Sequence, residues 1–184
     1  DMRAALIMSA RTKVEQEPNY TYVTARILLD ELRAEALSFL GVAEESTQPE
    51  MDEYYPKALA AFIDKGIELE MLDPKLKEYD LAKLGAAIEA ERDYKFTYLG
   101  LQTLYDRYFI HSQDIRYELP QIFFMRVAMG LAAEESQKEE RAIEFYRLLS
   151  SFDYMSSTPT LFNSGTLRPQ LSSCYLTTVP DDLD

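Results

Sequence analysis

A single cysteine, a single histidine and no tryptophan occur in the 184 residues. One thiol cannot close an internal disulfide, which excludes the stapled folds of small secreted domains. Cys174 and His111 together fall short of a zinc ligand set. Long apolar runs are missing too: the most apolar stretch, residues 119–133, is interrupted by Gln121 and Arg126 and is too short to cross a bilayer. No signal-peptide pattern is visible, so the cytoplasm is the expected compartment. Positive charge is scarce. Lys and Arg number 19 against 32 Asp and Glu, a net charge of −13. That balance argues against general binding to nucleic acid or anionic membranes. It leaves room for a local anion site, because helix N-termini and backbone amides cradle phosphate in acidic proteins too.

What is present suits a packed core: 47% of residues are hydrophobic and 12% aromatic. The length allows one ordinary domain, or one domain with pieces of its neighbours. The chain opens at Asp1 in helix-like sequence without an initiator Met and stops at Asp184 in an acidic turn. A piece of a longer protein is expected. Fixed-period repeats and low-complexity segments are absent from the sequence.

Up to about residue 152 the pattern is helical. Asn19, after Pro18, is placed to cap a helix in which Leu28, Leu32, Ala36 and Phe39 form one face and Gly41 the stop. Residues 44–53 are acidic and turn-rich and read as a linker. A second helix carries Leu59, Phe62, Ile63 and Gly66. Asp73-Pro74 and Asp80 read as helix starts, the latter for a short helix with Leu81, Leu84 and Ile88. Leu101, Leu104, Tyr105 and Tyr108 make a stripe, as do Phe124, Val127, Ala128 and Leu131 behind Pro120. Ala142, Phe145, Leu149 and Phe152 make a third. Arg92, Lys95 and Arg126 read as ion-pair partners within an acidic domain, and His111 as a surface or capping residue near a helix end.

Beyond Phe152 the character changes. Ser156, Ser157, Thr158, Pro159 and Thr160 are poor residues for a helix interior. From Leu171 to Val179, Tyr175, Thr177, Thr178 and Val179 favour a strand, with Ser172, Cys174, Leu176 and Thr178 on one face and Ser173, Tyr175, Thr177 and Val179 on the other. Two readings of Cys174 are open on residue type alone. It is a small buried apolar residue, or a redox or nucleophilic thiol that needs access and stabilisation of its thiolate.

The segment Thr158-Pro-Thr-Leu-Phe-Asn-Ser-Gly, followed by Arg168-Pro-Gln-Leu-Ser-Ser-Cys-Tyr-Leu, resembles the active-site entry of the class I ribonucleotide reductase large (α) subunit. Upstream, Glu91-Arg-Asp-Tyr-Lys-Phe-Thr-Tyr and Glu118-Leu-Pro-Gln-Ile-Phe-Phe-Met-Arg-Val-Ala resemble two further segments of that family, in the same order. The resemblance implies a mainly α chain: a helical N-terminal domain leading into the first strand of a ten-stranded α/β barrel that is incomplete here. It divides the chain into a remnant of ATP-cone-like helices (1–41), the helical domain (42–157) and the start of the barrel (158–184).

The resemblance also implies roles. Cys174 matches the redox cysteine that helps the substrate 2′-hydroxyl leave as water and then forms a disulfide with a cysteine outside this chain. Thr158 and Ser173 match substrate-contacting positions. Asp181, with Asp182 and Leu183 beside it, matches the start of a site for ATP or deoxynucleotide effectors. The implied substrate is a ribonucleoside diphosphate, and the implied partners are a metal-containing radical-generating β subunit, a thioredoxin- or glutaredoxin-type reductant and a second α copy. No cofactor is expected on this chain itself, and the fragment alone is expected to be inactive. Where the family's activity-regulating cones carry His and Lys, this chain has Glu31, Leu32, Arg33, Ala34 and Glu35, which reads as a solvated acidic face. Two alternatives are a cobalamin-dependent class II reductase and a non-catalytic helical interaction module.

Overall fold

The helical periodicity of the sequence becomes eight α-helices in the computed structural model, among the described residues 2–179. They are α1 (Met2–Arg11), α2 (Tyr20–Phe39), α3 (Met51–Glu68), α4 (Leu81–Ala86), α5 (Tyr98–Arg107), α6 (Pro120–Leu131), α7 (Lys138–Ser150) and α8 (Thr158–Asn163). Short 3-10 turns occupy Gln48–Glu50, Pro74–Glu78 and Ala90–Lys95. A two-residue hairpin, β1 (His111–Ser112) with β2 (Ile115–Arg116), pairs antiparallel between α5 and α6. The chain is mainly α.

Helix α2 shows how local sequence sets the boundaries. Leu28, Leu32 and Ala36 are buried as their spacing requires, and Phe39 packs its ring 5.1 Å from that of Tyr117. Asn19 starts the helix but makes no side-chain capping bond. The far end closes at Gly41, whose φ of 69° is costly for any residue with a Cβ. There the amide of Val42 donates to Leu37 O (2.9 Å) and that of Gly41 to Ser38 O (3.0 Å), a Schellman closure. Glu35 is not solvated. It is half-buried and accepts from the Arg116 amide (2.8 Å) and the Tyr105 hydroxyl (3.2 Å), tying α2 to the hairpin and α5.

Within the expected linker at 44–53, residues 44–47 are irregular and mostly exposed, but 48–53 are already a helix entry. The Thr47 amide and hydroxyl both donate to Glu50 (2.7 and 2.8 Å), forming a capping box that runs through the 3-10 turn into α3. Those two bonds, the amide first, hold the Glu50 carboxyl below the usual carboxylate range. Met51, at the start of α3, is completely buried. Tyr55, Ala58, Leu59, Phe62 and Ile63 follow on the inner face. Asp73 and Asp80 cap as their positions predict, accepting from the amides of Lys75 and Lys83 (both 2.9 Å).

Helix α6 lies at the centre. Its expected single apolar face is an underestimate, because every residue from Pro120 to Met129 is buried, Gln121 and Arg126 included. A helix enclosed on all sides must carry apolar residues all round and satisfy each polar exception internally. Leu131, read as part of the inner face, is 37% exposed at its end. Gln121 belongs to a buried polar network centred on Asp93. The Asp93 carboxylate accepts from Tyr55 Oη (2.8 and 3.0 Å), Gln121 Nε2 (2.8 Å) and Arg33 (3.1 Å). Tyr146 Oη donates to Gln121 Oε1 (2.9 Å), so α2, α3, α6 and α7 meet in one set of bonds. Burial pushes the Asp93 carboxyl up, opposed first by Arg33 and then by the Gln121 and Tyr55 bonds.

The region after Phe152 departs from expectation twice. Thr158–Asn163 forms α8, with Pro159 in its first turn where a missing N–H costs nothing. Leu171–Val179 is not a strand: it has no ladder partner among the described residues and residues 172–179 are exposed. β-propensity expresses itself only against a neighbouring strand.

Candidate functional site

The candidate segment, residues 158–174, is built outward from α6. Near the middle of that helix Arg126 is fully buried, and its guanidinium meets an equally buried Glu118 at 2.6 Å. Buried charges must be paired and hydrogen-bonded on every face. Glu118 also accepts from the Ile110 amide (2.9 Å). Arg126 uses its remaining donors on the carbonyls of Ser164 (2.7 Å) and Leu161 (3.2 Å). These are the carbonyls at the C-terminal end of α8, which have no partner inside so short a helix.

Glycines make that grip sterically possible. A Cβ on Gly130 would lie 2.2 Å from the amide nitrogen of Gly165 and from Ser164 Oγ. Gly165 itself has φ 76°, and a Cβ there would crowd Arg126 at 3.0 Å. Ser164 Oγ donates to Val127 O (2.7 Å), which closes the contact between the two backbones.

Helix α8 in turn holds what flanks it. Thr158, at its N-terminal end, is exposed, with Oγ1 3.2 Å from the Tyr108 hydroxyl. Tyr108 stacks on Phe162 of the same helix, centroids 4.6 Å apart and planes 14° from parallel. Asn163 Nδ2 donates to Gln170 O (2.8 Å) and Thr160 Oγ1 to Leu171 O (3.3 Å), so the backbone is pinned three residues before Cys174. Ser173 and Cys174 are exposed. Asp181, Asp182 and Leu183 lie outside the described residues.

Of the predicted ion-pair partners, Arg92 binds Glu89 (2.9 Å) and Arg126 binds Glu118. Lys95 instead approaches the Ser151 carbonyl (3.5 Å). His111 sits exposed in β1, with Nδ1 3.3 Å from Phe109 O. Sequence reading missed the seat itself: Glu118, Gly130, Ser164, Gly165 and Tyr108. One signal for it was visible, a lone arginine inside the most apolar stretch of an acidic chain.

Among the described residues, no group of three or more His, Cys, Asp or Glu side chains is arranged to hold a metal ion. No helix there is long and apolar enough to cross a membrane.

Comparison with known proteins agrees with this architecture. Residues 94–169 match the family model described as the ribonucleotide reductase all-alpha domain, which covers α5 to α8 and the Arg126 seat. The ribonucleoside-diphosphate reductase subunit alpha of Chlamydia trachomatis is 48% identical over 97% of this chain, which spans 17% of that protein. The corresponding subunit of Helicobacter pylori is 37% identical over the whole chain, spanning 22% of it. The large subunit of Danio rerio is 35% identical over 95% of the chain and 21% of its own length. An all-helical reductase domain is therefore the class of structure defined here. The chain belongs to the ribonucleotide reductase family and corresponds to the N-terminal region of the ribonucleoside-diphosphate reductase α subunit. It spans about a fifth of the length of these relatives.

Proposed function

We propose that this chain is the entry portion of a class I ribonucleotide reductase large subunit that converts ribonucleoside diphosphates to deoxyribonucleoside diphosphates. Residues 1–41 are a cone remnant, 42–157 the helical domain, and 158–184 the lead into a ten-stranded α/β barrel. The observation that carries the reading is the exposed Cys174 thiol, three residues beyond a backbone pinned to α8 at Thr160 and Asn163. In the proposed reaction Cys174 and a cysteine elsewhere in the subunit each give up one electron and one proton. The sulfurs join as a disulfide, the 2′-hydroxyl leaves as water, and a C–H replaces the C–O bond. A dithiol reductant of the thioredoxin or glutaredoxin type then reopens the disulfide by thiol exchange.

Thr158 and Ser173 contact the substrate, and Asp181, Asp182 and Leu183 open the effector site. The radical comes from a metal-containing β subunit, α pairs with a second α, and the enzyme works in the cytoplasm. The isolated chain is inactive, because it supplies one wall of the site. The test is Cys174→Ser in the parent subunit, assayed with its β partner and a reductant. Multiple-turnover reduction should vanish while substrate affinity stays within a few fold. Turnover at the wild-type rate would refute the role.

A further inference from the structure

Positive charge is scarce in this protein, and most of it is already engaged. Among the described residues, every lysine and arginine side chain but three makes an ion pair, a hydrogen bond or a cation–π contact. The three are Lys13, Arg107 and Arg168. Two of them line the same cleft, although 61 residues separate them in sequence. In a chain of net charge −13, with 32 acidic residues to choose from, both guanidiniums are left without a carboxylate.

The cleft has a volume of about 710 Å³. That is within the range of small-molecule sites, roughly 300–1,000 Å³. Besides the two arginines its wall carries His111, Asn163, Thr166 and the Tyr108–Phe162 stack. Only Glu70 contributes an acid. The His111 ring has its Nδ1 toward a carbonyl, and its Nε2 makes no hydrogen bond. Forked guanidiniums bind phosphate oxygens in pairs, and an aromatic wall beside them offers a face to a base.

We propose that this cleft binds a phosphate-bearing ligand, its phosphates held between Arg107 and Arg168. Cys174 is not among the residues that line the cleft, and the proposal does not depend on the reductase reading. Phosphate is the shared chemistry; inorganic pyrophosphate and nucleoside diphosphates are its two sources.

The test reads the two arginines directly. The parent subunit is modified with phenylglyoxal, and the rate at each arginine is followed by mass spectrometry. Arg107 and Arg168 should react readily without added anion. With pyrophosphate at ten times its half-saturating concentration, mass action predicts about a tenfold drop in rate at both. Arg147, exposed and away from the cleft, should keep its rate. Arg168→Gln should weaken protection of Arg107, which a purely ionic-strength effect would not do. Equal protection by pyrophosphate and a nucleoside diphosphate identifies the phosphates alone as the ligand. Stronger protection by the nucleotide adds its base to the recognised group. The proposal is overturned if neither anion protects, if Arg147 is protected equally, or if both cleft arginines are inert from the outset. A subunit that turns over yet shows no protection overturns the cleft alone; protection without turnover leaves the cleft standing and counts against the reductase reading.

Discussion

Replacing Arg126 with methionine tests the construction of the site most directly. The side chain is fully buried against an equally buried Glu118, so its loss strands a carboxylate whose one remaining donor is the Ile110 amide. Breaking such a pair from one side costs about 3–5 kcal/mol. The carbonyls of Leu161 and Ser164 lose their donor as well, at about 1–3 kcal/mol for each buried group left unsatisfied. These costs overlap and do not add, but even the lower bound is large beside a typical total stability of about 5–15 kcal/mol. Urea unfolding followed by circular dichroism should therefore show a shift of at least about 3 kcal/mol. Combining Arg126→Met with Glu118→Leu should recover part of that loss, because the stranded charge is gone while the orphaned carbonyls remain. Arg126→Lys keeps the charge but lacks the planar fork, so it should fall between methionine and wild type. In all three variants amide exchange should quicken across residues 158–171, the segment that the carbonyl grip immobilises. A single Arg126→Met variant within about 1 kcal/mol of wild type would refute the reasoning, since a buried pair cannot be dismantled so cheaply.

Two further outcomes follow from geometry and titration. Gly130→Ala would drive a methyl to 2.2 Å from the Gly165 nitrogen, so it should destabilise by about 3 kcal/mol or more in thermal unfolding, against a gain in stability if only helix propensity mattered. Tyr105 and Tyr146 are both pushed up to about 12, in each case chiefly by burial, with Glu35 adding to the effect at Tyr105. Between about pH 10, the unfolded value, and about pH 12 the folded state holds protons that the unfolded chain has released. Stability should therefore be whole below pH 10 and fall as pH rises through that window, with the phenolate absorbance of these two rings appearing late. Early phenolate signals from both would contradict their burial.

Helix positions were legible in the sequence because they depend on local chemistry. Leu28, Leu32 and Ala36 keep one face, Asp73 and Asp80 cap, and Pro120 opens α6. Elements that depend on distant partners were not legible. The run from Leu171 to Val179 has strand-forming residues but no neighbouring strand among the described ones. The acidic stretch before Met51 looks like solvent-facing linker by composition, and the bonds from Thr47 to Glu50 that start the helix there do not show in composition. Helix α8 was hidden by Thr158, Thr160 and the serines before them, whose weak propensity is overridden by the carbonyl grip from Arg126. At the candidate site, the family motif marked Thr158, Ser173 and Cys174. Arg126 was read as an ion-pair partner, but neither its total burial nor its hold on α8 follows from spacing.

The near-contact of Gly130 with Gly165 sets how force passes through the molecule. Close-packed interiors have low compressibility and transmit strain. Here α6 abuts the end of α8 backbone to backbone, with Ser164 bonded to Val127 and no side chain at either glycine to act as a cushion. A tilt of α6 therefore reaches the end of α8 directly and, through Asn163 and Thr160, the backbone at Gln170 and Leu171. The central helix works as a lever whose short arm is α8.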